Sequence, residues 1–447
     1  MRMRRTLPTA VALGMILLAS CSGGGGSGNP AEDLRPTARP ATAGVDNVAG
    51  ATASPECAAK VKQLRVAAPG TLNDVAESGK AYMEKTHPGL TVDIVATAPD
   101  YSALVQQISA DRSAGSSVDV AVAGFDQLPV YARQLGAQPL SPRRLRASYD
   151  QRLLGLGTVD GTLIGIPQQV ASLALVYNLD VLQQAGVDPR TLTTTDGVIA
   201  AADKIKASGQ NIQPIDLPTG QQFGQWMLNT LASSRGTPIQ DAAGGPALTT
   251  PATRAAAAFL AKVGTYGPQS DNPSGLLRFG IRRQTAMTVV NVASLAGSLR
   301  IIGGLGAKGF RVGAVPFPTL PGGSQHPVAV GNALTVLATD HCQQEMATEL
   351  IVSLLSPDVV ATSTEAFSYL PVDTQAISRL SSFYGMYPQL KPFLAVTGSL
   401  VKAPVWGGAR GGEVADALND QVVRIVRGED PDRTLAAAQT QVGELTR

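Results

Sequence analysis

Leu64-Arg65-Val66-Ala67-Ala68, Leu90-Thr91-Val92-Asp93-Ile94-Val95-Ala96-Thr97 and Val118-Asp119-Val120-Ala121-Val122 decide the fold class. Each is short and largely apolar, and the second and third are rich in β-branched residues, which suits a buried strand. Between the first two lies Asn73–Lys85, a helical stretch that Pro69-Gly70-Thr71-Leu72 introduces and Asn73 can cap. Thr86-His87-Pro88-Gly89 breaks it. Between the second and third lies Tyr101–Ser113, with Leu104, Val105 and Ile108 on one face. The order β-α-β-α-β predicts an α/β fold with a mainly parallel sheet flanked by helices.

Working outward, the pattern is irregular around Gly161–Pro167 and then recovers. Leu173–Tyr177 reads as a strand, followed by helices over 179–186 and about 195–208. Residues 211–320 hold more helices, including 251–264, and strands near 285–291 and 311–315. Val328–Ala338 is a strand and Gln343–Leu355 an apolar-faced helix. The tail from 414 to 447 reads as two helices split by Gly428-Glu429-Asp430-Pro431. No internal repeat is visible.

The N-terminus has another character. Arg2, Arg4 and Arg5 precede an apolar stretch from Leu7 to Leu18, and Leu18-Ala19-Ser20-Cys21 follows. A basic start, a short apolar core and small residues are the layout of a secretory signal. The core is about 12 residues, too short to span a hydrocarbon layer of about 30 Å. Residues 22–56 are dominated by Gly, Ser, Pro, Ala and Thr, including Ser22-Gly23-Gly24-Gly25-Gly26-Ser27-Gly28. Such a segment cannot build a core; about 35 residues of it reach roughly 30–35 Å.

Composition narrows the function. The chain has 447 residues, 44% hydrophobic and 16% charged, enough for two ordinary domains. Loss of the three signal arginines takes the formal net charge from +2 to −1. No basic surplus remains to neutralise phosphates, so nucleic acid is excluded as a partner. The cluster Arg143-Arg144-Leu145-Arg146 reads as a solvated face. No histidine falls in an H-x-x-x-H or H-E-x-x-H spacing, and no G-x-S-x-G elbow is present. Gly407-Gly408-Ala409-Arg410-Gly411-Gly412 lacks the strand and the lysine of a phosphate loop. The expectation is no enzyme, no metal and no cofactor. Besides Cys21 there are Cys57 and Cys342, an even pair for an oxidising compartment: a disulfide, or two buried thiols.

Several motifs carry a resemblance. Glu84-Lys85-Thr86-His87-Pro88-Gly89-Leu90-Thr91-Val92 opens the set, and Ser113-Ala114-Gly115-Ser116-Ser117-Val118-Asp119-Val120 follows. Gly165-Ile166-Pro167, Leu175-Val176-Tyr177-Asn178-Leu179-Asp180 and Ala185-Gly186-Val187-Asp188-Pro189 form the most specific part. Ala286-Met287, Val312-Gly313-Ala314-Val315-Pro316-Phe317-Pro318, Leu320-Pro321-Gly322-Gly323 and Leu370-Pro371-Val372 complete it. In this order, over about 58–440, they resemble the extracellular solute-binding proteins of bacterial ABC importers, in their sugar-binding form. Cys21 likewise resembles the cysteine of a bacterial lipobox, which implies cleavage after Ser20 and a lipid on its sulfur.

The resemblance implies a two-lobed periplasmic-binding-protein fold, type II-like, with three interlobe crossings near 168–173, 319–327 and 372–376. Lobe one is then 58–168 plus 328–372 and lobe two 174–318 plus 376–447, after a signal peptide over 1–20 and a tether over 21–57. Cys57 and Cys342 fall on the same lobe, which makes a disulfide geometrically sensible. A ligand sits beyond the carboxyl ends of such strands. The expected contacts are Thr71, Asn73, Asp126, Gln127, Gln168, Gln169, Asn332 and Tyr369 from lobe one. Trp226, Asn291, Trp406 and Arg410 are expected from lobe two. Trp226 reads equally as core, Trp406 as a ligand platform on a loop, and Arg410 as a group for a carboxylate or phosphate. Aromatics are only 4%, and Asn291-Val292-Ala293-Ser294 stands where many relatives carry Trp. The implied role is an extracytoplasmic, lipid-anchored monomer that captures a small polar solute, a carbohydrate or a derivative such as a glycerophosphodiester, for a membrane permease. A receptor that signals instead of feeding import is the alternative.

Overall fold

The computed structural model describes residues 52–220, 222–270, 277–306, 309–406 and 411–446. Cys21, Arg410 and the signal segment lie outside them. The chain builds two main sheets and many helices. Strands β1 (Gln63–Ala67), β2 (Thr91–Val95) and β3 (Val120–Gly124) come first. A two-stranded hairpin, β4 (Thr158–Val159) and β5 (Thr162–Leu163), follows. Then come β6 (Gly165–Ala171), β7 (Leu173–Asn178), β8 (Gln213–Asp216), β9 (Thr285–Asn291), β10 (Val312–Pro316) and β11 (Val330–Val336).

The first sheet has the order β2-β1-β3-β11-β6 and the second β10-β7-β9-β8. The sheets are mixed, which corrects the expectation of mainly parallel ones. β1 runs parallel to β2 and β3, but β11 is antiparallel to both β3 and β6. In the second sheet only β8 and β9 are parallel. The reason is connectivity. β11 enters from the second sheet at the edge where β3 ends, so it must run backward. β6 then passes straight into β7 with Ser172 alone between them.

Burial explains why these segments are strands. Every residue of β3, β6 and β7 is buried, as expected of strands covered on both faces. In β7 the two faces serve different cores. Leu173, Leu175 and Tyr177 join one cluster, Ala174 and Val176 the other, the two-residue period of a strand. The first core surrounds the first sheet and also takes in the segment from Ala376 to Phe393. The second holds the helices Phe223–Ser233, Pro251–Gly264, Gly411–Val426 and Pro431–Leu445. The helix Asn73–Thr86 forms as expected, but Asn73 is its first residue and Leu72 precedes it with no side-chain cap. Cys57 and Cys342 form a disulfide with a Cα separation of 4.7 Å. It ties the segment Pro55–Lys60 to the start of the helix His341–Leu354.

Candidate functional site

Strand direction defines one edge. β1, β2 and β3 end there at Ala67, Val95 and Gly124, β11 enters at Val330, and β6 leaves at Ala171. Ser172 carries the chain to the second sheet, and its carbonyl accepts from Val292 N–H at 2.9 Å, just past the end of β9. β8 ends at the same edge of that sheet, at Asp216. The carboxyl ends of six strands (β1, β2, β3, β6, β8 and β9) thus converge on the crossing.

A polar group occupies this edge. Asn332 lies opposite Gly124 on one side and Gln169 on the other. Its Nδ2 donates to the Tyr101 hydroxyl at 3.1 Å and to Gln169 Oε1 at 2.8 Å. Gln169 Nε2 donates to Ser363 Oγ at 3.1 Å. A bulge in β6 makes this alignment. Asn332 pairs with Gln169 but Ala333 with Pro167, so Gln168 is the extra residue. Gly331 permits it: its φ is +137°, and a Cβ there would sit 1.9 Å from the Gln169 carbonyl oxygen. Beside Asn332, a Cβ on Gly124 would meet Asp126 Oδ1 at 2.7 Å and the Tyr101 ring at 3.0 Å. The carboxylate and the ring therefore flank the bare Gly124.

Burial tunes these groups. It pushes the Asp126 carboxyl above its ordinary value, while hydrogen bonds from Gln127 and backbone N–H groups pull the other way. Gln127 Nε2 reaches Asp126 Oδ2 at 3.0 Å. Burial raises the Tyr101 hydroxyl strongly, with neighbouring Tyr369 adding to it, and takes Tyr369 to about 12. Both phenols are therefore protonated hydrogen-bonding groups at neutral pH. Gln168 Oε1, Ser172 Oγ and Asn332 Oδ1 are buried without a hydrogen-bond partner. Unsatisfied buried polar atoms are costly unless something supplies the missing bond.

The remaining expected residues are dispersed. Thr71 is exposed in the short turn Gly70–Leu72, and Asn73 is half-buried. Asn291 is half-buried at the end of β9, its Oδ1 accepting from Ala293 N–H at 2.9 Å. Tyr369 is half-buried beside Leu370, which bridges to Val170. Trp226 is half-buried, touches both cores and lies 5.4 Å from the Phe223 ring. Trp406 corrects the expectation of an open platform. It is 6% exposed inside the second core, its indole N–H without a partner. A large ring gains most by burial, even at the cost of one unmet donor. Asp216, which ends β8, is already held: Ser270 N–H donates to Oδ1 at 2.8 Å, and Arg278 Nη1 lies 3.1 Å from Oδ2. Tyr101, Ser363 and Ser172 went unforeseen. Only the position of Tyr101 just after the Asp100 cap, in the segment that follows β2, could have signalled it. Cys57, His341 and Glu345 come together, but Cys57 is spent in the disulfide and offers no metal ligand.

Two α/β layers thus meet at a polar crossing edge. The profile of the bacterial extracellular solute-binding proteins matches residues 77–392, and the chain belongs to that family. A binding protein of Brucella abortus (strain 2308) is 23% identical over 380 residues, covering 83% of this chain and 89% of its own. The sugar-binding protein MalE of Xanthomonas citri superposes with a TM-score of 0.72 at 20% identity, over 86% of this chain and 97% of that one. UgpB of Mycobacterium tuberculosis, in complex with glycerophosphocholine, superposes with a TM-score of 0.67 at 18% identity, over 86% and 98%. These likenesses establish a two-lobed fold.

Proposed function

We propose that this protein is the lipid-anchored solute receptor of an ABC importer. It captures a small polar solute, most simply a carbohydrate or sugar derivative, between two lobes and delivers it to a permease. The lobes are residues 58–168 with 328–372 and residues 174–318 with 376–447. The observation that carries the reading is the group of Tyr101, Asp126, Gln169 and Asn332 where six strand ends meet. Protonated phenols, a carboxylate and carboxamides suit hydroxyl-rich ligands, which both donate and accept. Closure of the lobes would bury the solute, and the permease would read the closed shape.

A glycerophosphodiester is the second reading. It is favoured by the Asn291-Val292-Ala293-Ser294 sequence at the second lobe's edge, which offers no aromatic face for a sugar ring, and by the UgpB likeness. Thermal melting of the purified chain against carbohydrates, polyols and glycerophosphodiesters tests both. A saturable rise in melting temperature with one class selects it. No rise across the panel overturns the proposal. Loss of the cell's response to the solute on deleting the permease would support import over sensing.

A further inference from the structure

A cavity of about 580 Å³ lies on the other face of the first sheet. Successive side chains of β11 point to opposite faces. Asn332 faces Tyr101 and Asp126. Ala333 faces the other way, where a Cβ on Gly165 would meet Ala333 Cβ at 2.8 Å and Leu128 at 3.1 Å. Leu128 lines the cavity, as do Leu156, Val401 and Pro404; among the described residues, none of the sequence-expected site residues does. Its walls come from both sides of the crossing, because Asn229 and Ser233 of the helix Phe223–Ser233 close it.

The lining is mostly apolar, with one unmet donor. Asn229 is 1% exposed. Its Oδ1 accepts from Ile239 N–H at 3.0 Å, which fixes the orientation of the amide. Its Nδ2 is then left without a partner. The charges at the walls are uneven in availability. Arg133 and Asp160 neutralise each other through bonds of 2.9 and 3.2 Å. Asp241 Oδ1 is engaged by Ala243 and Gly245 N–H. Lys402, exposed at the mouth, donates to the Thr158 carbonyl and keeps further N–H groups for another acceptor.

The geometry points to a second ligand site, separate from the solute edge, for a short aliphatic monocarboxylate. Its chain packs against Leu128, Leu156 and Val401, and its carboxylate accepts from Lys402 and the Asn229 amide. The assignment does not depend on what the solute edge binds. The chain has three histidines, and only His326 lines the cavity; His87 bonds to Glu349 and His341 lies by Glu345. Titrating octanoate into the full chain, with the histidine ring nitrogens followed by NMR, provides the test. The His326 signal should move saturably while those of His87 and His341 stay. Lys402→Met, at an exposed position, should weaken the effect about tenfold. Asn229→Leu should weaken it similarly if folded, and 1-octanol should bind more weakly than octanoate. The assignment is overturned if octanoate leaves His326 unmoved up to about 10 mM. It is equally overturned if Lys402→Met changes nothing or if octanol matches octanoate.

Discussion

Asp126 is held where its charged form is penalised. A carboxyl whose folded pKa is raised binds its proton more tightly folded than unfolded. Its stabilising share is then complete below its unfolded value and is lost as pH rises through the folded value. Asp126→Asn should therefore melt a few degrees above the parent at pH 7 and equal it near pH 3, as read by calorimetry. The same variant should bind solute more weakly, since it exchanges a charge-assisted acceptor for a neutral one. A variant no more stable than the parent at pH 7 would contradict the raised carboxyl. Gly331 makes the complementary case for backbone. Its φ of +137° and the 1.9 Å approach to Gln169 leave no room for a side chain. Gly331→Ala should cost about 3 kcal/mol in urea unfolding. At this scale the sequence was only partly legible. Asp126 could be named because it follows a strand, and Gln169 and Asn332 through the family resemblance, although both lie inside strands. Tyr101 was missed because it reaches the group from a helix start rather than from a strand end. Trp406 misled because its Pro and Gly neighbours signal a loop, and loop position does not determine whether a ring faces inward.

Elements were more legible than residues. The strands at 285–291 and 311–315 and the helix at 251–264 reappear almost unchanged, because apolar periodicity and turn residues agree there. β6 was missed. Its Gly165-Ile166-Pro167-Gln168-Gln169-Val170-Ala171 run does not alternate and carries two glutamines, yet all seven residues are buried. Tertiary cover and the bulge at Gln168 account for what local pattern could not. β8 was missed for a similar reason, since Pro214 argues against a strand. The disulfide closes a sequence separation of 285 residues. The chain-entropy model gives at most about 5–6 kcal/mol for such a loop, and strain or residual unfolded structure lowers it. The double variant Cys57→Ser, Cys342→Ser should lose about 2–5 kcal/mol in chemical denaturation. Solute affinity should hold, because both cysteines lie away from the crossing edge. A variant as stable as the parent would mean the bond does not constrain the unfolded chain.

On the scale of the whole molecule, the chain crosses between its two sheets at Ser172 and again over 317–329, so a solute between them acts on both at once. The helix Leu295–Gly304 already reaches across: Ala296 N–H donates to Ser368 Oγ at 2.8 Å, and Arg300 approaches the Ala366 carbonyl. A solute that favours closure stabilises the fold by mass action, about 2.7 kcal/mol at a hundred times its dissociation constant. Ser368→Ala removes one bond that spans the crossing without touching the polar group of Tyr101, Asp126, Gln169 and Asn332. If closure and binding are coupled, it should weaken solute affinity several-fold, chiefly through faster release, since the contact holds the closed form rather than the encounter. Stopped-flow measurement of association and dissociation separates the two rates. An unchanged release rate would show that this contact stays made in the open receptor.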